Sequence, residues 1–195
     1  MLLSRVLAVS LLVLSPVAFA DSLDVNLNNN AAQFQFNSSA SDFIEGNSEL
    51  HGGVLYNDTN NLFFDAGLLV KGGGGDDAAP GLSVGVGVKG VFGSIHPPAL
   101  PNTTSTVSAI GVGGELVFAL PTPTRVALVG GYYASPKITS FADADRYNQL
   151  DLRLEVEVSP QAQVYIGYRE IGFGVKSVGS LTLDKGTFFG VLAKF

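Results

Sequence analysis

Side chains able to do chemistry recur in this chain on alternate positions rather than in a compact motif. Glu49, Asp65, Glu115, Asp151, Glu155 and Glu157 stand against Lys71, Lys89, Arg125, Arg153, Arg169 and Lys194, with His51 among them. Asn148 to Val158 shows the pattern best: Leu150, Leu152, Leu154, Val156 and Val158 alternate with Asp151, Arg153, Glu155 and Glu157. Side chains of a strand alternate between faces, so this spacing puts all the charge on one side of a sheet and all the aliphatic surface on the other. Six acids against six bases in a confined space favour an ion-pair network, because enclosed charges are costly unless paired. The same charges could instead line a small aqueous pore and set its selectivity. Glycines and serines on that face, such as Ser83, Gly85 and Gly87, would leave room for water or a solute.

Other reactive residues do not converge. His96 precedes Pro97 and Pro98 and has Ser94 and Ser105 within reach, yet a base needs a nucleophile and an orienting group to become catalytic. Asp76, Asp77, Asp143 and Asp145 fall in turns without the D-x-D-x-D-G spacing of a calcium loop. The run Gly72 to Gly75 lacks the following Lys-Ser/Thr of a phosphate loop. No catalytic residue, metal site or cofactor is therefore assigned.

The elements that must carry the charges are strands. From Asp21 onward no window keeps a 3.6-residue apolar period, whereas period-two runs separated by turn residues recur. Working back from the C-terminus, strands are expected near 186–195, 162–173, 147–158, 124–134, 106–120, 81–92, 61–71 and 47–56. Residues 22–28 and 31–37 read as a further hairpin, since Leu23, Val25 and Leu27 alternate, as do Phe34 and Phe36. Ten strands are preferred over eight, and an even count returns both termini to one side. Loop lengths put Val175–Asp184, Ser135–Asp145 and Gly93–Ser105 at the outer end, with Ser159–Gln161 and Pro121–Pro123 at the inner end. Gly72–Pro80 and Asn57–Asn60 reverse that trend.

At the N-terminus, Arg5, the apolar run Val6–Leu14 and Ala18-Phe-Ala20 form a secretory leader cleaved before Asp21. Ser10, Ser15 and Pro16 interrupt it short of the ~20 apolar residues of a spanning helix. The expected domains are the leader at 1–20, an apolar helix apart from the rest, and one domain at 21–195. The leader carries one base and no acid, so its removal changes the net charge from −6 to −7. That balance argues against nucleic acid, which demands a basic stripe. Cysteine is absent, which removes disulfides and a lipid-attachment thiol. Charged residues make up 14% of the chain against ~25% in an ordinary soluble domain, so much of the surface is expected to avoid water.

The expected fold class is all-β: a single antiparallel transmembrane up-and-down β-barrel. Strands of 10 to 13 residues suit a tilted span better than a globular sheet. Aromatics gather at the ends of the apolar face, with Tyr56, Phe92 and Tyr132 at the outer level and Phe118 and Phe195 at the inner, like the girdles of membrane barrels. The closing run Gly186-Thr-Phe-Phe-Gly-Val-Leu-Ala-Lys-Phe195 alternates to a terminal phenylalanine. Phe195 is assigned as an assembly signal.

The segments Gly87-Val-Lys-Gly90, Gly111-Val-Gly-Gly-Glu115, Gly130-Gly-Tyr-Tyr-Ala-Ser-Pro136, Tyr165-Ile-Gly-Tyr-Arg169 and Gly190-Val-Leu-Ala-Lys-Phe195 resemble, in order and spacing, the YfaZ family of exported proteins. The resemblance runs from about Gly85 onward, and it implies an outer-membrane barrel without supplying a catalytic residue. The functional readings are a narrow porin-like channel or solute-binding barrel, then a structural or surface-interaction barrel, and last a lipid-modifying enzyme. Expected partners are outer-membrane lipid, lipopolysaccharide and, during biogenesis, the barrel assembly machinery, with the protein itself a monomer.

Overall fold

The computed structural model describes residues 21–73, 80–97, 103–176 and 178–195. The leader, Gly74, Gly75, Asp76, Asp77 and Pro98 lie outside the described residues. Eleven strands follow in order: β1 (Ser22–Leu27), β2 (Ala31–Ser39), β3 (Asn47–Asn57), β4 (Leu62–Gly73), β5 (Leu82–Ile95), β6 (Ser105–Leu120), β7 (Val126–Ser135), β8 (Ser140–Ala142), β9 (Ala144–Ser159), β10 (Ala162–Val175) and β11 (Gly179–Lys194). Each long strand pairs antiparallel with its sequence neighbour, and β1 closes the ring on β11 with Val25 opposite Val191. The three residues of β8 only flank β6, so the wall has ten strands and no free edge. The hairpin at 22–28 and 31–37 is thus part of the barrel, as the preferred count required.

Alternation then sorts every strand into an outward and an inward face. On β11, Phe189 is 61% exposed and Phe188, next to it, 4%. Val86, Ile110, Leu116, Leu128, Leu154 and Ile166 are likewise exposed and outward around the circumference. Such a belt exceeds the apolar patches a soluble monomer leaves in water. Outward aromatics sit toward its rims, Tyr56, Phe92 and Tyr132 near one and Phe118 and Phe195 near the other.

Asp21 and Phe195 share one end of the barrel with residues 40–46, 80–81, 121–125 and 160–161. Residues 28–30, 58–61, 96–97, 103–104, 136–143, 176 and 178 lie at the opposite end, the loop end. One expected outer loop is mostly strand: of Val175–Asp184, only 176–178 lie outside β10 and β11. Gly179, at φ +90°, permits that short connection because a left-handed residue costs glycine no Cβ clash. A bulge between Ile171 and Gly172 skips Leu183, so Leu183 and Asp184 are both buried. That break in period two hid the strand.

Candidate functional site

Large inward side chains lie across inward glycines of the next strand. Tyr165 faces Gly190, Phe188 faces Gly167, Tyr133 faces Gly113, His51 faces Gly67 and Phe63 faces Gly93. A Cβ on Gly190 would stand 2.3 Å from the Tyr165 ring, and one on Gly67 2.4 Å from the His51 ring. These glycines therefore house rings, and the space expected for water at those positions is filled.

At the loop end the inward face is apolar and closed. Leu55, Phe63, Val91, Ile95, Val107, Tyr147, Ile171 and Phe173 form one buried cluster inside the wall. Phe63 comes from β4, across the ring from Tyr147 and Phe173 on β9 and β10. Their ring centroids are 5.0 Å (Tyr147–Phe173), 5.6 Å (Phe63–Phe173) and 6.3 Å (Phe63–Tyr147) apart. Tilted and edge-on contacts at these separations are favourable, and the residues of the cluster are buried from solvent.

Next to this plug lie buried charges. Arg169, fully buried, donates through Nε to Asp184 Oδ2 at 2.7 Å, through Nη1 to Asn26 Oδ1 at 2.9 Å, and also to Gln33. Asn28 Nδ2 donates to the other oxygen of Asp184 at 2.8 Å. Opposite, Lys89 Nζ is 3.5 Å from Asp65, donates to Gln149 at 3.3 Å, and stands 4.9 Å from the centre of the Tyr133 ring. His51 Nε2 completes that group 3.7 Å from Asp65. Every charge here has an opposite neighbour, as burial requires.

Toward the termini the lumen opens into a polar chamber of about 320 Å³, roughly ten waters at ~30 Å³ each. Its wall carries Glu49, His51, Lys71, Lys89, Glu115, Asp151, Arg153, Glu155 and Arg169, and its mouth carries Ser22, Gln163 and Lys194. A chain of ion pairs crosses it: Glu49–Lys71 at 2.9 Å, Lys71–Glu115 at 3.4 Å and Glu115–Arg153 at 3.6 Å, with Arg153 also bonded to Glu155. The amides of Asn26, Gln33, Gln35, Asn37 and Gln149 add polar wall, and apolar side chains such as Leu69, Val117, Phe188 and Leu192 lie between them. Such a surface can hydrogen-bond a small polar solute from several sides, and the plug closes its floor.

A family model described as YfaZ precursor matches residues 8–195. The chain belongs to this family. No curated protein matches. Among solved structures, a rhombohedral crystal form of the NanC porin is similar, at 10% identity and a TM-score of 0.48, over 89% of this chain and 99% of that one.

In this YfaZ-family barrel Asp65 reaches the chamber only through Lys89 and His51. Arg125 and Glu157 do not line it: they pair at the rim at 3.2 Å, with the Arg125 side chain exposed. Two further acids enter the lumen. Asp24, buried and hydrogen-bonded by Tyr165, was visible as the position between Leu23 and Val25, whereas the bulge concealed Asp184. Outside the lumen, His96 Nε2 lies 3.3 Å from Thr104 Oγ1. Its Nδ1 has no partner among the described residues, so none of them orients the ring as a catalytic base requires. Asp143 accepts from Thr106 N at 3.2 Å and Asp145 pairs with Lys137 at 3.3 Å. No three acids or histidines among the described residues converge on a metal position.

Proposed function

We propose that this protein is an outer-membrane barrel that holds a small polar solute in a chamber open to the periplasm, and that it is not a constitutively open pore. The observation that carries the reading is the chamber's dead end at the Phe63–Tyr147–Phe173 plug. Membrane insertion is supported by the outward apolar belt and by a closed ring that satisfies its own backbone. The leader 1–20 exports the chain, and the loop end then faces outward. The barrel works as a monomer.

Cell fractionation and heat-modifiable gel mobility test location: recovery with outer membrane is expected, and soluble recovery without detergent would overturn it. Planar-bilayer recording tests the dead end, with steady wild-type current absent and large open steps counting against it. Phe195, exposed at the terminal end, serves recognition by the assembly machinery, so Phe195→Asp lowers inserted yield while leaving unfolding of the inserted fraction unchanged.

A further inference from the structure

Cations outside the lumen are segregated. Among the described residues, apart from Arg125 at the terminal rim, the Lys and Arg side chains that do not face the chamber are Lys137, Arg146, Lys176 and Lys185. All four belong to the sector from β7 to β11 and its loops, and the β1–β6 sector has none. Lys185 lies opposite Glu170, its partner at 3.1 Å, and Glu170 lies opposite Leu150, which pairs with Tyr132 of the girdle. Arg146 stands four residues further out on β9.

A groove runs up the outer wall at this place. Tyr132 and Ala134 line it from β7, Arg146 and Asn148 from β9, Gly174 from β10, and Lys137 from the 136–139 turn. Gly174 makes the groove possible: its missing side chain is the space over which the Arg146 stem lies, and a Cβ there would come within 2.7 Å of Arg146 Cγ. Asp145, the acid of the groove, is engaged by Lys137 at 3.3 Å. Among the described residues Arg146 has no carboxylate partner, so its guanidinium retains the capacity to grip an anion through paired donors.

Height agrees with a headgroup. The outward apolar run of β9, Leu150 to Val158, is centred on Leu154, and Arg146 lies eight residues beyond that centre. Eight residues are roughly 26 Å of strand, or about 20 Å of height at the ~40° tilt of membrane barrels. Half of a bilayer with its headgroups is ~20 to 22 Å, which puts the guanidinium in the headgroup layer above the Tyr132 girdle.

We infer that this groove binds a phosphate-bearing lipid headgroup of the outer leaflet, with Arg146 as principal ligand, Lys137 as second cation, and the acyl chains descending past Ala134 and Tyr132. The site rests on the outer-membrane reading above, and heat-modifiable mobility, measured first on every sample, reports that reading separately. Refolded protein is then titrated in detergent with bisphosphorylated lipid A and with phosphate-free lipid A, and bound lipid is counted by native mass spectrometry. Wild type prefers the phosphorylated form, Arg146→Ala weakens its binding about ten-fold, Lys137→Ala weakens it less, Arg146→Lys restores part of it, and Arg125→Ala leaves it unchanged. Equal binding of the two lipids, or full binding by heat-modifiable Arg146→Ala, overturns the site.

Discussion

The two halves of the lumen are built from the same strands with the same period, yet they are different materials. β3 contributes Leu55 to the loop end and Glu49 to the terminal end, β4 contributes Phe63 and then Lys71, and β9 contributes Tyr147 and then Arg153. Where the inward residues are apolar, the space inside the wall packs like a globular core. Where they are charged and amidic, the same wall encloses a chamber. Strand alternation thus fixes which side chains meet inside, and residue type along each strand fixes whether they exclude water or hold it.

The largest break in that contrast is expected at the junction. Arg169→Leu strands Asp184 in a buried site, and removing one partner of a buried pair costs about 3 to 5 kcal/mol. Urea unfolding of the refolded barrel measures it. A companion Arg169→Leu/Asp184→Leu barrel recovers much of the loss, because the stranded carboxylate is gone. A loss below about 1 kcal/mol for Arg169→Leu would mean that water reaches this layer and that the halves are not separated.

The plug itself comes next. Phe173→Ala should cost about 3 kcal/mol, the lower end for buried phenylalanine, since water from the chamber can fill part of the space. Phe63→Ala/Phe173→Ala removes rings from both walls and should convert a silent barrel into one with resolvable current steps. A silent double variant would show that Tyr147 and the aliphatic residues around it, such as Leu55, Val91 and Ile95, seal the loop end without the two phenylalanines.

Much of this was legible because period two needs only residue order. Leu150 to Val158 against Asp151 to Glu157 announces β9, its inner face and its neighbour in one stretch. The loop-end part of β11 was not legible, since the bulge at Leu183 shifts the alternation and makes Leu181, Leu183 and Asp184 look like loop. The glycines were visible but misread as space, because their meaning depends on register: Gly190 is filled only once it lies opposite Tyr165. The plug was out of reach for a related reason. Phe63 and Phe173 share their inward faces with polar residues nearer the termini, Asp65 and Lys71 on β4 and Arg169 on β10, but their contact crosses the barrel, and nothing in the order of residues along β4 or β10 specifies a partner there. Asp24 needed only the alternation of Leu23, Val25 and Leu27 carried one step further.

Comparing inside with outside sharpens the account at adjacent positions. Leu152 is outward and exposed, and Arg153 lines the chamber. Leu152→Arg places a cation near mid-membrane and should destabilise the inserted barrel by about 2 to 4 kcal/mol. Arg153→Leu should leave insertion intact while releasing Glu115 and Glu155, seen as altered occupancy of the chamber. A Leu152→Arg barrel as stable as wild type in bilayer would mean that the belt does not face lipid.

The smallest effect is expected within the chamber, where the contrast with Arg169 is sharpest. Glu49 bonds Lys71 at 2.9 Å, a shorter contact than several in the buried layer, so distance alone would rank it among the important pairs. Two features reduce its worth. The Glu49 side chain is 33% exposed, so water already solvates the carboxylate and screens the attraction. Lys71 also keeps Glu115 at 3.4 Å, so Glu49→Gln leaves no ammonium stranded, and the new amide can still accept from it. A loss below about 1 kcal/mol follows, as for other solvated pairs, with chamber affinity for solute changing more than stability does. Equal losses for Glu49→Gln and Arg169→Leu would make the lumen one uniform ion-pair network, with no distinction between plug and chamber.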